Sequence, residues 1–286
     1  MTPPYNYTIR GKTDGFGAQY NAILSGLAYC EHSPDYNYIH TPLKSVSHGW
    51  RDKTNELNEF IGIPNGVGSN VKIHTSQRYG NKNVYSDRQP SNWYDEKTLA
   101  KIRGYYWSTP KPQNCEQDIA IHIRRGDVQP DGNGKDRRKR FTPNEFYNRK
   151  IPKVLSIYPE DYTIVILSEG KMSEFESIMD EWPPSLKKRI FWKLGTHCEN
   201  DCEFNLITAF HQMVTAKVFV QSQSSLSYTA GILNENEVWF LSGNKNKGQR
   251  YPLDHWRLLE RSDSSKTEDG TTYANHIKYL REGKYN

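Results

Sequence analysis

A chain of 286 residues has room for one large domain or two small ones around a substantial core. Its 35% hydrophobic content and mean hydropathy of −0.87 are low, but 13% aromatic residues supply core and contact surface and exclude disorder as the starting assumption. The net charge of +5 suits an anionic ligand and is small for a dedicated nucleic-acid binder, while four cysteines are too few for a disulfide framework.

From the amino end, YNYTIRG (5–11) reads as a short strand entering a turn, followed by a helix from Ala18 to about Cys30 with Tyr20, Ile23, Leu24 and Leu27 at helical spacing. YNYIH (36–40) and VKIHT (71–75) are further strands, with a helix over Asn55–Ile61 between them. Residues 75–95 are polar and turn-rich and predict a long surface loop. Ile119–Ile123 is a buried strand leading into a basic, glycine-containing loop. Thr142-Pro143-Asn144-Glu145 then stands in capping-box order, with Thr142 as N-cap and Pro143 as first helical residue. The helix behind it carries Tyr147, Ile151, Val154, Leu155 and Tyr158 along one face.

Next come YTIVILS (162–168) as a strand, Glu174–Trp182 as a helix and RIFWKL (189–194) as a strand. Phe204–Thr215 is helical, KVFVQS (217–222) a strand, Ser224–Leu233 a helix and EVWFL (237–241) a last strand. This repeating βα order predicts α/β architecture with parallel sheets. The expected domains are 1–115, 116–245, and a segment 246–286 packing back across both. The amino end lacks an apolar leader, and no run reaches the ~20 apolar residues of a membrane span, so the expected location is cytoplasmic, or that of a catalytic domain without its anchor.

Three stretches carry chemistry. In IAIHIRRGDV (119–128), residues of one parity share a face, so Ala120, His122 and Arg124 point one way and Ile119, Ile121, Ile123 and Arg125 the other. Open α/β sheets bind ligands beyond the carboxyl ends of their strands, where Arg124, Gly126 and Asp127 lie. A guanidinium offers forked donors matched to phosphate oxygens, and Gly126 permits an unusual φ or close backbone approach. The bland reading is an ion pair of Arg124 or Arg125 with Asp127.

The second stretch, VFVQSQSSLSYTAGIL (218–233), ends a strand at Gln221-Ser222 and opens a helix at Gln223-Ser224-Ser225. Hydroxyls and N–H groups at a helix start suit a phosphate, although a simple N-cap explains any one of them. The third, GKTDGFGAQYNAIL (11–24), places Gly11, Gly15 and Gly17 around a strand-to-helix turn, with Asp14 as a helix cap or a carboxylate exposed at a cleft. His197-Cys198 with Cys202 matches no defensible zinc spacing; these two cysteines, with Cys30 and Cys115, read as reduced thiols.

His122-Ile123-Arg124-Arg125-Gly126-Asp127 resembles the HxRRGD signature of α1,2-fucosyltransferases and the related HxRR of α1,6- and protein O-fucosyltransferases. AKVFVQSQSSLSYTAGILN (216–234) resembles their later strand, serine-rich turn and helix, and GFGAQYNAILSGLAYC (15–30) their first glycine turn and helix. The three motifs stand in family order over roughly residues 10–240. The resemblance implies a GT-B-like fold, two Rossmann-type domains facing a central cleft, and an inverting transferase that needs no metal. The absence of Asp-x-Asp agrees with that.

Carried over, Arg124 would grip the β-phosphate, while His122, Gly126 and Asp127 would line the nucleotide-sugar site. Ser222, Gln223, Ser224 and Ser225 would bind the diphosphate from the helix start, and Gly15 and Gly17 would contribute from the first motif. Asp14, just before Gly15-Phe16, would be the catalytic base, with Asp127 and Asp52 as fallbacks. The expected partners are a nucleotide-sugar donor and a glycan acceptor, with no cofactor and no nucleic acid. The expected sugar is fucose from GDP-fucose. The guanine-reading aspartate of the α1,6 enzymes corresponds here to Lys217, although the α1,2 enzymes also tend to carry lysine nearby, which keeps another donor such as UDP-xylose open. The rival from another class is a non-catalytic glycan- or nucleic-acid-binding protein using the basic run KDRRKR (135–140). Tyr36, Tyr38, His40, His48 and Trp50 could stack on acceptor sugars or simply fill the core.

Overall fold

The computed structural model describes residues 5–9, 12–47, 53–66, 74–75, 84, 87–115, 117–128, 141–195, 205–241 and 250–259. The chain divides into two compact units, Met1–Lys111 with Lys247–His255, and Pro112–Asn246 with Trp256–Asn286. Both are α/β and both are built on parallel sheets, the class the βα alternation predicts.

In the first unit, strands β1 (Tyr5–Thr8), β2 (Tyr36–Tyr38) and β3 (His74–Thr75) form a parallel sheet of order β2-β1-β3. Helix α1 (Phe16–Glu31) joins the first two, and α2 (Thr54–Ile61) precedes β3. Almost every residue of α1 is buried, so its sequence reads as apolar with small and amide residues rather than as an amphipathic stripe. A helix over Glu96–Trp107 (α3) is not among the expected elements. Its signals are nonetheless present: Asp95 caps it by accepting from the Thr98 N–H at 2.8 Å, and Leu99, Ile102 and Tyr106 recur on one buried face.

The second unit holds β4 (Ile119–Ile123), β5 (Ile164–Glu169), β6 (Ile190–Gly195), β7 (Val218–Val220), β8 (Glu237–Leu241) and β9 (Arg257–Leu259). All neighbours are parallel, in the order β6-β5-β4-β7-β8-β9. Numbered within the unit this is 3-2-1-4-5-6, the Rossmann order, whose direction of winding reverses between the first and fourth strands, here β4 and β7. Helices α4 (Asn144–Leu155), α5 (Pro184–Lys187), α6 (Leu206–Thr215) and α7 (Ser225–Leu233) connect the strands. The alternation of β4 sorts its side chains as predicted. Ile119, Ile121 and Ile123 join Ile164, Ile166, Val218 and Val220 in a core closed by Phe146, Tyr147, Ile151, Val154 and Leu155 of α4. Its other face lies against α6, which also packs on α7.

Four local expectations change. Glu174–Trp182 forms two 3₁₀ turns, Met172–Glu174 and Glu176–Ile178, because the spacing of Phe175, Ile178 and Trp182 buries one face equally well with i→i+3 hydrogen bonds. The capping box does not form: α4 begins at Asn144, Pro143 occupies the cap with extended ψ of 153°, and the buried Thr142 hydroxyl makes no hydrogen bond. EVWFL is not the last strand, since β9 comes after it. In the expected loop over 75–95, Pro90–Asn92 makes a 3₁₀ turn. No helix among the described residues is long and apolar enough to cross a membrane.

Candidate diphosphate site at the carboxyl ends of β4 and β7

The strand order reverses between β4 and β7, and there the connections leave in opposite directions and open a crevice at the carboxyl ends. Strand β4 runs on into Arg124-Arg125-Gly126-Asp127, and β7 runs on into Gln221-Ser222-Gln223-Ser224 and the start of α7. Two sequence-distant motifs thus meet within one unit.

The two arginines diverge. Arg125 turns to the α4 side and is 2% exposed. Its guanidinium lies 4.3 Å from the Phe141 ring centroid and 5.8 Å from those of Tyr147 and Phe175. It donates to the Arg124 carbonyl at 2.9 Å and to Asn144 Oδ1, and Asn144 in turn donates to Glu174 O and Ser177 Oγ. This is a brace for the loop, built from planar stacking and forked donors. Burial pulls its pKa downward, and a guanidinium stays charged regardless.

Arg124 stays on the opposite face. It donates from Nη2 to Asp127 and from Nη1 to Ser224 Oγ at 3.4 Å, while its buried Nε has no hydrogen-bond partner among the described residues. The ion pair with Asp127 that the bland reading expected is therefore present, and it leaves donors over. A desolvated N–H without a partner is costly unless a ligand supplies an acceptor. Ser224 is the N-cap of α7, accepting from the Leu226 N–H at 3.2 Å, and the first turn of that helix carries no acidic side chain. The partial positive charge of the helix start adds to that of Arg124. Ser225 is the first helical residue, and Ser224 N–H bonds to Ser222 O at 2.8 Å, so Gln223 sits at the apex of the turn.

His122 lies beneath this rim rather than on it, at 4% exposure. Its Nδ1 meets Ser222 Oγ at 3.0 Å and also Ser227 Oγ, and Ser227 Oγ accepts from the Ser222 N–H at 3.2 Å. Burial first, and the Arg124 charge second, push its pKa down to about 3, so the ring is neutral. It fastens β4 to the β7–α7 turn. Ser227 counts in the sequence among the four serines of 222–227, but it is given no role there; its place beneath His122 shows only once the turn is closed.

Gly126 has φ +76°, the left-handed region that favours glycine. Gly126→Ala is therefore expected to lower stability by about 1–2 kcal/mol, read as a reduced urea midpoint at unchanged m-value.

Lys217 does not reach this rim. It pairs with Asp118 at 2.7 Å at the amino ends of β4 and β7, the opposite edge of the sheet.

In the first unit, Asp14, Gly15 and Gly17 come after β1. Gly15 is the N-cap of α1 and makes no side-chain cap bond, so Asp14 is not the cap, and Gly17 lies within the helix. The Asp14 carboxylate is 43% exposed and takes Lys12 Nζ at 3.0 Å. Its carbonyl accepts from Gln19 Nε2 at 2.6 Å and from the Ser47 N–H at 3.3 Å. Tyr36 is packed among Tyr5, Tyr7 and Tyr29, and His40 is buried, with its pKa lowered to about 4 by desolvation. Tyr38 OH lies 3.5 Å from His40 Nδ1. His48, Trp50, Asp52, the 135–140 basic run and the His197, Cys198 and Cys202 group lie outside the described residues. Cys30 and Cys115 are buried free thiols. Among the described residues no group of three or more His, Cys, Asp or Glu side chains is placed to hold a metal.

No family model and no curated protein matches the chain. Among solved structures it is similar to E. coli heptosyltransferase WaaC with ADP, at 10% identity and a TM-score of 0.43 over 98% of this chain and 100% of that one. It is also similar to a glycosyl transferase family 9 protein from Veillonella parvula, at 11% identity and 0.39 over 100% and 91%. A third is POFUT1 in complex with GDP, at 13% identity and 0.36 over 90% and 98%.

Proposed function

We propose that the protein is a GT-B-like, inverting, metal-independent glycosyltransferase that moves a sugar, fucose from GDP-fucose first among candidates, onto a glycan hydroxyl. The observation that carries the reading is the under-satisfied Arg124 guanidinium against the capped start of α7 at the switch point of a Rossmann-ordered sheet. Such a site takes a diphosphate: Arg124 neutralises the leaving group as charge builds on it, and the serine turn and helix start hold its second face. The three sequence motifs supply the sugar-transfer chemistry. In this reading Asp14 accepts the acceptor hydroxyl proton, its exposure leaving room for a substrate and Lys12 holding it in place.

A thermal-shift panel of GDP, UDP, GDP-fucose and UDP-sugars tests this. A ligand at about a hundred times its dissociation constant adds roughly 2.7 kcal/mol of stability. Stabilisation by guanine compounds is the expected outcome. Stabilisation by uridine compounds alone would replace the donor and keep the class, and none at all would remove the diphosphate reading.

A further inference from the structure

In the first unit, the turn that carries Asp14 is held by a buried amide to which the sequence alone assigns no role. Gln19 lies in the first turn of α1 and is 3% exposed. Its Nε2 donates to the Asp14 carbonyl at 2.6 Å and to the Ser45 carbonyl at 2.8 Å, so both amide hydrogens go to backbone oxygens. The Ser47 N–H adds a second bond to the Asp14 carbonyl at 3.3 Å. Gly15 makes no side-chain cap bond, and the entry to α1 is tied from inside the helix instead.

The far end of this tie is itself anchored. Asn58 of α2 accepts from the Leu43 N–H at 2.8 Å and donates to Leu43 O at 3.0 Å, which fixes the 41–47 segment after β2. Gln19 thus joins the Asp14 turn to a segment that α2 holds in place. An aspartate side chain has only two rotatable bonds, so the backbone at Asp14 largely decides where its carboxylate stands. Lys12 Nζ, 3.0 Å from Oδ2, restrains the remaining rotation.

We infer that Gln19 is a positioning residue for the proton acceptor: its amide sets the Asp14 carboxylate within the reach of about 2.6–3.2 Å that proton transfer from an acceptor hydroxyl requires. This rests on the reading of Asp14 as the base. Displacing such a group by about 1 Å can cost about a hundredfold in rate, so two hydrogen bonds remote from the chemistry carry a kinetic effect. A brace that serves stability alone carries none.

The test is a double-mutant cycle on turnover of the donor that the thermal-shift panel selects, followed as released nucleoside diphosphate. Gln19→Met, close in shape and without donors, should lower kcat by about tenfold to a hundredfold. Affinity for the nucleoside diphosphate, whose site lies in the second unit, should stay within about twofold by calorimetry. In the Asp14→Asn background the same substitution should cost nothing further, because the group it places has already been disabled. Gln19→Glu keeps the fold if Gln19→Met does not. Its carboxyl, buried against two carbonyl oxygens, stays protonated and donates one bond in place of two, so kcat should fall less. An equal loss from Gln19→Met with and without Asp14→Asn, or unchanged kcat with a lowered melting temperature, would overturn the positioning role and leave Asp14 as the base. Near-normal turnover in Asp14→Asn alone would remove the base reading and this inference together.

Discussion

Arg124→Ala is expected to weaken binding of the nucleoside diphosphate by about tenfold to a hundredfold, the loss of one or two hydrogen bonds to charged groups at roughly 1.5–3 kcal/mol in all. Turnover should fall further, by about a hundredfold to a thousandfold, because the guanidinium meets more charge in the transition state than in the bound donor. The fold should survive: Arg124 and Asp127 lie at the strand end, with side chains 22% and 19% exposed, outside the hydrophobic core. Arg124→Lys separates charge from geometry. A lysine keeps the point charge but cannot serve Asp127, Ser224 and a phosphate from one planar fork, so it should recover only part of the loss.

Asp14→Asn provides the contrast. The carboxylate lies in the other unit and, as the base, touches only the acceptor proton in this reading. The variant should keep nucleotide affinity within about twofold while turnover drops by about a hundredfold or more. Calorimetry and initial-rate measurements on the three variants decide the matter. Near-normal turnover in Arg124→Ala would sink the phosphate-gripping role, and near-normal turnover in Asp14→Asn would pass the base role to another group.

How much of this is legible in the sequence depends on the length scale of each signal. The separation of Arg124 from Arg125 needs only strand alternation, a period-two rule that burial on both faces of β4 enforces. The serine turn is legible as a strand end running into a helix start. The contribution of Ser227 depends on that turn folding back beneath His122, a closure of 105 residues in sequence that no local pattern encodes. Gln19 shows the same limit from another side. A glutamine in the first turn of a helix is unremarkable, and only the approach of the 41–47 segment sets Ser45 O beside its amide. The 3₁₀ turns at 172–178 look like a helix in sequence because apolar spacing reports a buried face and not the hydrogen-bond ladder behind it. Helix α3 is different in kind. Its cap and periodicity are in plain sight just past the 75–95 loop, in a stretch the sequence reading leaves unassigned.

The neutral His122 makes acid lability a property of the second unit. A histidine whose pKa is about 3 when folded and about 6.5 when unfolded binds its proton more readily unfolded. Its contribution to stability is therefore complete above about pH 6.5 and is lost as pH falls from there toward 3, at roughly 1.4 kcal/mol per unit. By about pH 5 the loss amounts to about 2 kcal/mol, before ordinary carboxylates begin to titrate. His40, lowered to about 4, adds a loss of the same sign in the first unit. His122→Asn keeps a group able to bond Ser222 or Ser227 but cannot charge. It should be less stable than wild type near pH 7 by about 1–3 kcal/mol, and should then lose about 2 kcal/mol less than wild type on going to about pH 5. The readout is the urea midpoint at the two pH values with m-values compared, since two units need not unfold in one step. If His122→Asn and wild type lose stability equally on acidification, the folded ring takes up its proton as readily as the unfolded one and is charged by about pH 5. The hydrogen bonds from Nδ1 to Ser222 and Ser227 would then belong to an imidazolium, and the rim beneath Arg124 would carry two positive charges instead of one.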